Sequence, residues 1–480
     1  MRTSRDVRRK LISLTAVSAT LLSGTVVASL ALTGPAAAEP AAESPAPAAA
    51  PVAERLIVGY RSGATEARSN AAAAADAEAK GVGSDADQGF QRRLGTGAAL
   101  VDLGTGVSKS EAAEVISRYR ADPQVAYVVP DRLNTLQADP NDTEYAKQWD
   151  LFEATAGMNV PGAWDITAGS GVTVAVLDTG YVAHSDLAAN IVAGYDFISD
   201  PAVAVDGNGR DSDPSDPGDW ARAGECYAGS PASNSSWHGT HVAGTIAAVA
   251  NNGKGIAGVA HQAKISPVRV LGKCGGYDSD IIDAITWASG GTVSGVPANA
   301  NVAKVINMSL GGAGSCSTAT QSAINAAVNR GTTVVVAAGN SNANAANYSP
   351  ASCNNVISVA ALSRTGSRAT YSNYGAAVDI AAPGGQTSTG TANGILSTLN
   401  SGTTTPGTES YAYYQGTSMA APHIAGLAAL MKAAKPALTP AQIETAIKAN
   451  ARAIPGTCSG GCGAGLADAA KTVRAVVATG

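Results

Sequence analysis

From residue 172 onward, short apolar runs alternate with stretches of helical spacing, and few folds accommodate that order. The runs "VTVAVLD" (172–178), "AKISPVRVL" (263–271), "AKVINMSL" (303–310), "TTVVVAAG" (332–339) and "NVISVAAL" (355–362) read as strands. Mostly apolar rather than alternating, they fit strands covered on both faces. The intervening "HGTHVAGTIAAVA", "DSDIIDAITWAS" and "STATQSAINAAVNR" have helical spacing, which implies βαβ crossovers. The predicted fold class is α/β: a doubly wound, mostly parallel sheet with helices on both faces. Sites in such sheets lie at the carboxyl ends of strands. Asp178 closes one of these runs and Asn340 immediately follows another.

This large domain is expected over 138–480, behind three other segments. A basic start, "MRTSRDVRRK", an apolar stretch and "TGPAAAEP" read as a signal peptide over 1–38; a membrane anchor is the alternative for the same stretch. Residues 39–53, alanine and proline with little to bury, read as a linker. Residues 54–137 read as a small α+β module with strands in "RLIVGYR", "AALVDL" and "PQVAYVVPDRL" and helices in "SNAAAAADAEAK" and "SKSEAAEVISRYRAD". A net charge of -5 with 14% charged residues provides neither a basic surface for nucleic acid nor a polybasic membrane anchor once the signal is removed. Export favours disulfides among Cys226, Cys274, Cys316, Cys353, Cys458 and Cys462. The sequence leaves their connectivity open, with neighbours as the expected partners, and the lack of a CxxC pair argues against zinc.

"GTSMAAPH" (416–423) sets Ser418 at the start of an apolar helical run, and its hydroxyl needs a base from elsewhere. Of five histidines, His184 and His261 fall in expected solvated turns, and His423 lies a turn into the Ser418 helix as a structural group. His238 and His241 in "WHGTHVAG" remain; their spacing could seat zinc, but the glutamate of HExxH is absent. His238, opening a helix, fits a general base with a carboxylate on its second nitrogen. Asp178 could supply it, a turn or capping role being the alternative.

The motifs "VAVLDTG", "HGTHVAG", "AAGN" and "GTSMAAPH" occur in the order Asp, His, Ser, and in them the chain resembles the secreted subtilisin-type serine proteases, the subtilases. The likeness runs from about Asn141 to "GAGLADAAKTV", and 54–137 resembles the family's inhibitory propeptide. It implies a secreted endopeptidase made as a zymogen, with Ser418 as nucleophile, His238 as base and Asp178 orienting it. It further implies an oxyanion hole from the Asn340 amide and the Ser418 end of the helix, and substrate main chain along Ser309, Leu310 and Gly311 and along Ala338 and Gly339. Asn347 would lie near the floor of a pocket preferring neutral or apolar residues before the cut. A structural calcium ion (Ca2+) is implied at Asp142, Asp186 and Asn252. The acidic insertion 206–220 separately suggests a second calcium loop from Asp206, Asp211, Asp213, Asp216 and Asp219, although it departs from the EF-hand pattern. Self-cleavage is expected between about residues 133 and 139, partners are protein substrates and the chain's own propeptide, and the default state is a monomer. A non-catalytic scaffold would need a lost triad member, a related acid-acting class would carry glutamate in place of His238, and a metalloprotease would stop in chelator.

Overall fold

The computed structural model describes residues 54–82, 88–131 and 139–478. The expected signal, the linker and most of the expected cleavage segment lie outside them. The chain divides into two compact units, one on each side of the 136/137 boundary.

The first unit contains β1 (Arg55–Tyr60), α1 (Asn70–Ala79), β2 (Gly89–Arg93), β3 (Ala99–Asp102), α2 (Lys109–Ala121) and β4 (Val125–Pro130). Its sheet runs β2-β3-β1-β4 and is antiparallel. A capping box fixes the start of α2: Ser108 Oγ accepts from Glu111 N at 3.2 Å and Glu111 Oε2 accepts from Ser108 N at 2.8 Å. Leu56, Val58, Val101, Val115 and Tyr119 share a separate core. β2 escapes the sequence reading because "GFQRR", an edge strand, buries little.

The second unit opens with the short helices α3 (Trp149–Phe152) and α4 (Pro161–Trp164). Then come β5 (Thr173–Asp178), β6 (Tyr195–Asp196), α5 (Pro201–Ala204), α6 (His238–Ala247), β7 (Lys264–Arg269), α7 (Asp278–Ala288), β8 (Val305–Met308) and β9 (Gly312–Ala313). The chain continues through α8 (Thr318–Asn329), β10 (Thr333–Ala337), β11 (Tyr348–Ser349), β12 (Ile357–Leu362) and β13 (Ile380–Pro383). It ends with the hairpin β14 (Ile395–Asn400) and β15 (Glu409–Tyr414), followed by α9 (Thr417–Ala434), α10 (Pro440–Asn450) and α11 (Ala469–Ala478).

Seven strands form one sheet in the order β13-β12-β10-β8-β5-β7-β6, parallel at every pairing. α6 packs with α9 on one set of strands, and α7 packs with α8 on β5 and β10, so both faces are covered. All five strand expectations fall on β5, β7, β8, β10 and β12. From β5 the chain goes first to β6 at the sheet edge, returns to β7 between β6 and β5, then resumes on the other side of β5 at β8. The order therefore reverses between β5 and β8, which opens a crevice at their carboxyl ends.

α9 is apolar around its whole circumference and is buried at 15 of its 18 positions, as a helix threaded through a core must be. Pro422 lies inside it and has no N–H for the carbonyl of Ser418, a defect that costs ~3 kcal/mol in an ordinary helix interior. Here the freed carbonyl accepts from Ser309 Oγ at 2.8 Å, tying the start of α9 to the end of β8.

The disulfides are Cys226–Cys274, Cys316–Cys353 and Cys458–Cys462, each cysteine joined to its sequence neighbour as expected. Among the described residues no helix is long and apolar enough to cross a membrane.

Candidate active site

Asp178 ends β5 fully buried; its Oδ1 accepts from its neighbour Thr179 N at 2.8 Å and from His238 Nδ1 at 2.7 Å. α6 aims the ring. Trp237, just before it, is buried at φ 49°, a conformation bulky residues rarely adopt, and its indole N–H donates to Gly402 O at 2.7 Å. On the other side, Gly239 N donates to Thr179 Oγ1 at 3.0 Å, and a Cβ at Gly239 would lie 2.1 Å from Gly180 O. Only glycine permits that approach of α6 to the end of β5. The His238 side chain keeps 21% of its surface exposed, enough for a reactant to reach it.

Burial disfavours the charged His238 ring, but the charges of Asp178, then Asp219 and Asp216, outweigh it and hold the imidazole above its ordinary value near 6.5. His241 turns away: its Nε2 faces the carbonyls of Ile395 and Ala412 at 3.1 and 3.0 Å, its ring stacks on Tyr414, and burial pushes it down to about 3. The two histidines therefore do not act as a zinc pair.

Ser418 stands in the first turn of α9, and its hydroxyl donates to Ser309 O at 3.2 Å. Ser309 and His238 line the same crevice. Ser309 thus holds Ser418 from two directions, and Asn307 Nδ2 donates to Ser309 Oγ at 3.0 Å behind it. Asn340 is oriented by Thr417, whose N and Oγ1 donate to Asn340 Oδ1 at 2.8 and 2.9 Å. The carbonyl side of the amide is committed, and the residue is exposed. His423 is a buried structural group: Nδ1 lies 2.7 Å from Met419 O and Nε2 2.9 Å from Asp150 Oδ2.

The expected substrate segments differ in what they leave free. Leu310 is half-buried; Gly311 adjoins the β9–β11 pair, and Gly339 (φ 106°) approaches Asn373. Ala338 is committed to the interior: its N–H donates to Val359 O at 3.0 Å and its carbonyl accepts from Asn373 at 2.9 Å. Asn347 is exposed, and its carbonyl accepts from Gly314 N at 2.8 Å.

Asp142 and Asp186 are both buried, and the surrounding loop binds them. Asn251 N donates to Asp142 at 2.7 Å, and Asn252 Nδ2 and Tyr411 OH donate to Asp186 at 2.6 and 3.1 Å. Burial, reinforced by the charge of Asp186, raises Asp142, and its Oδ1 is buried without a protein partner. Two buried carboxylates, one with an orphaned oxygen, fit a hard cation.

The second expected calcium set does not converge. Asp206 pairs with Arg269 at 2.8 Å, Asp211 accepts from Asn208 and Asp213 N, Asp213 accepts from Ser215 N, and Asp216 is buried beside Gly218 N. Asp219 accepts from Ser236 N and Oγ at 2.6 and 2.7 Å, on the His238 side of the insertion. Among the described residues no group of three or more His, Cys, Asp and Glu side chains could hold a metal. Local acidity predicted a shared ion because the sequence does not show that Arg269 and several backbone amides already serve these carboxylates. His184 also departs from expectation: it is 2% exposed, bonded to Ser410 O at 3.0 Å beneath the β14–β15 hairpin.

The subtilase family model matches residues 169–465. The extracellular protease of Xanthomonas campestris pv. campestris is 54% identical over 437 residues, covering 90% of this chain and 74% of that one. The extracellular basic protease of Dichelobacter nodosus is 45% identical over 398 residues, covering 81% and 64%. Among solved structures, a protease from Pseudoalteromonas arctica matches with TM-score 0.70 and 60% identity, covering 71% of this chain and all of that one (100%). With its parallel sheet and its crevice at the β5/β8 reversal, the chain belongs to the subtilase family and is a serine endopeptidase.

Proposed function

We propose that the protein is an extracellular endopeptidase that cleaves proteins through Asp178, His238 and Ser418. One observation carries this reading: the 2.7 Å bond from His238 to buried Asp178, in a crevice whose Ser309 grips the backbone and hydroxyl of Ser418. With substrate bound, Ser418 Oγ turns from Ser309 O toward His238 Nε2, gives up its proton and attacks the scissile carbonyl. Asp178 holds the ring tautomer and stabilises the imidazolium. The oxyanion forms against Asn340 Nδ2 and the backbone N–H of Ser418. His238 then protonates the leaving amine, and water, activated by the same ring, releases the acyl group. Labelling the purified enzyme with a fluorophosphonate should modify Ser418 in proportion to lost activity. An active preparation labelled elsewhere would overturn the assignment.

Because His238 must be neutral to accept the proton, kcat/KM should climb with pH through an apparent pKa above 6.5. Stability linked to this group has the opposite sign: it is fully present below the unfolded pKa and is lost as pH rises through the raised folded value. An acid limb centred below pH 6 in a pH–rate profile would contradict the assignment.

In the same reading, Ser309, Leu310, Gly311 and Gly339 carry the substrate main chain, and the residue before the cut is neutral or apolar beside Asn347. Residues 54–137 act as a folding aid and inhibitor, released by a cut between about 133 and 139. The independent core of the first unit supports that division.

Asp142, Asp186 and Asn252 would hold calcium, which when bound supplies positive charge to two buried carboxylates. Calcium at ~100 times its dissociation constant adds about 2.7 kcal/mol of stability. Chelator should lower the thermal midpoint of the mature enzyme, and Asp186→Asn should abolish the difference between calcium and chelator. Identical midpoints for the parent enzyme in both buffers would remove the site.

A further inference from the structure

The crevice beside His238 is more than a passage to the triad. It has a volume of about 340 Å³, and His238, Ser309 and Leu271 form its near side, with the Cys226–Cys274 bridge and Asp219 among its other lining groups. The bridge fastens the insertion that follows β6 to the segment leaving β7, so a covalent link holds the wall in place. Ser236 N and Oγ hold the Asp219 carboxylate in position, each through one bond. Two bonds leave an ionised carboxylate with further acceptor capacity. Among the described residues no lysine, arginine or histidine forms an ion pair with Asp219. Lys273, next to the bridge, is committed to Glu225 at 2.8 Å and to the face of Trp220.

An extended substrate alternates its side chains between opposite sides. With the side chain before the cut directed toward Asn347, the preceding one points away from it, and this crevice is lined by His238 and Ser309 but not by Asn347. We propose that the crevice is a subsite for a lysine or arginine side chain immediately preceding the scissile residue, with Asp219 as its counter-charge and Cys226–Cys274 as its outer wall. This inference rests on the active-site reading above and adds a substrate class to it. The methylene stem would lie along Leu271 and the disulfide, and the cationic head would reach the carboxylate.

The test uses mature enzyme and fluorogenic peptides identical except at that position, which carries lysine, arginine, acetyl-lysine or leucine. Lysine and arginine should exceed acetyl-lysine and leucine in kcat/KM by about 5- to 20-fold at low salt, and by less at high salt. Asp219→Asn should bring the lysine to acetyl-lysine ratio within about twofold, a ratio that cancels changes common to both substrates. A Cys226→Ser, Cys274→Ser double variant should reduce the same ratio by loosening the wall. Equal rates for lysine and acetyl-lysine in the parent enzyme would overturn the subsite without recourse to any variant, and so would a preference that survives Asp219→Asn. Failure of the active-site reading is separable, because it appears as cleavage of every peptide without fluorophosphonate labelling at Ser418.

Discussion

Ser418→Ala should yield a folded, secreted chain that hydrolyses peptides on the order of 10⁶-fold more slowly than the parent and keeps its first unit attached. The fold should survive because the links anchoring this turn belong to the backbone: Ser309 Oγ donates to the Ser418 carbonyl, which alanine retains. The hydroxyl itself makes one long bond, 3.2 Å to Ser309 O, so its loss should change stability by less than about 1 kcal/mol. Thermal unfolding, a progress curve on a fluorogenic peptide and N-terminal sequencing of the secreted product give the three readouts. A variant released at 133–139 in a host without other proteases would show that maturation does not depend on Ser418. A variant retaining a tenth of parental activity would remove it as the nucleophile. Ser309→Ala is the contrast: it spares the nucleophile but releases the Ser418 carbonyl that Pro422 leaves unpaired, and it should lower kcat by a smaller factor, about 10-fold.

The contrast also shows which parts of the site a sequence can reveal. Asp178, His238, Asn340 and Ser418 lie where strands end or helices begin, and the surrounding glycines and small residues follow from that local geometry. Gly239 is an example, required where α6 passes Gly180 O. The groups that position them come from afar. Ser309 is 109 residues from Ser418, and Thr417 is 77 from Asn340. Neither pairing leaves a periodic trace: the sequence marks Ser309 only as a residue along the substrate main chain and Thr417 only as part of "GTSMAAPH", with nothing to join them to Ser418 and Asn340.

Charge misled most where tertiary partners decided the outcome. In residues 206–220 five aspartates resemble a cation loop, yet Arg269 at the end of β7 takes Asp206. Asp216 sinks below Thr179, where burial pushes its carboxyl up to about 7, and Asp219 turns toward the crevice. His184 departs from its expected solvated turn for a related reason: the hairpin covering it is built from "ILSTLN" and "ESYAYY", whose mixed polarity hides a buried roof. Five of the seven strands of the parallel sheet carried no such ambiguity, because burial on both faces leaves a mostly apolar run, whereas β6 and β13, of two and four residues, are too short to show one.

Asn340→Ala should reduce kcat by ~10²- to 10³-fold while changing KM by less than about threefold. The split follows from the bonding of the amide. Its oxygen is fixed by Thr417 N and Oγ1 at 2.8 and 2.9 Å, so the orientation of the amide is set before substrate arrives. A donor aimed at the oxyanion is used in the transition state far more than in the ground state, which places the loss in kcat. Asn340→Asp should be at least as damaging, although it preserves the shape. Its carboxylate would present negative charge to the developing oxyanion, and its remaining oxygen could still accept from Thr417. Thr417→Val should be milder, about 10-fold, since it removes one of the two bonds that orient the amide and leaves the donor in place. Steady-state kinetics on one peptide, with fluorophosphonate titration of active sites to correct for inactive protein, separate these outcomes. A loss for Asn340→Ala that falls wholly in KM would assign the residue to ground-state substrate binding and leave the oxyanion to the backbone N–H of Ser418 alone.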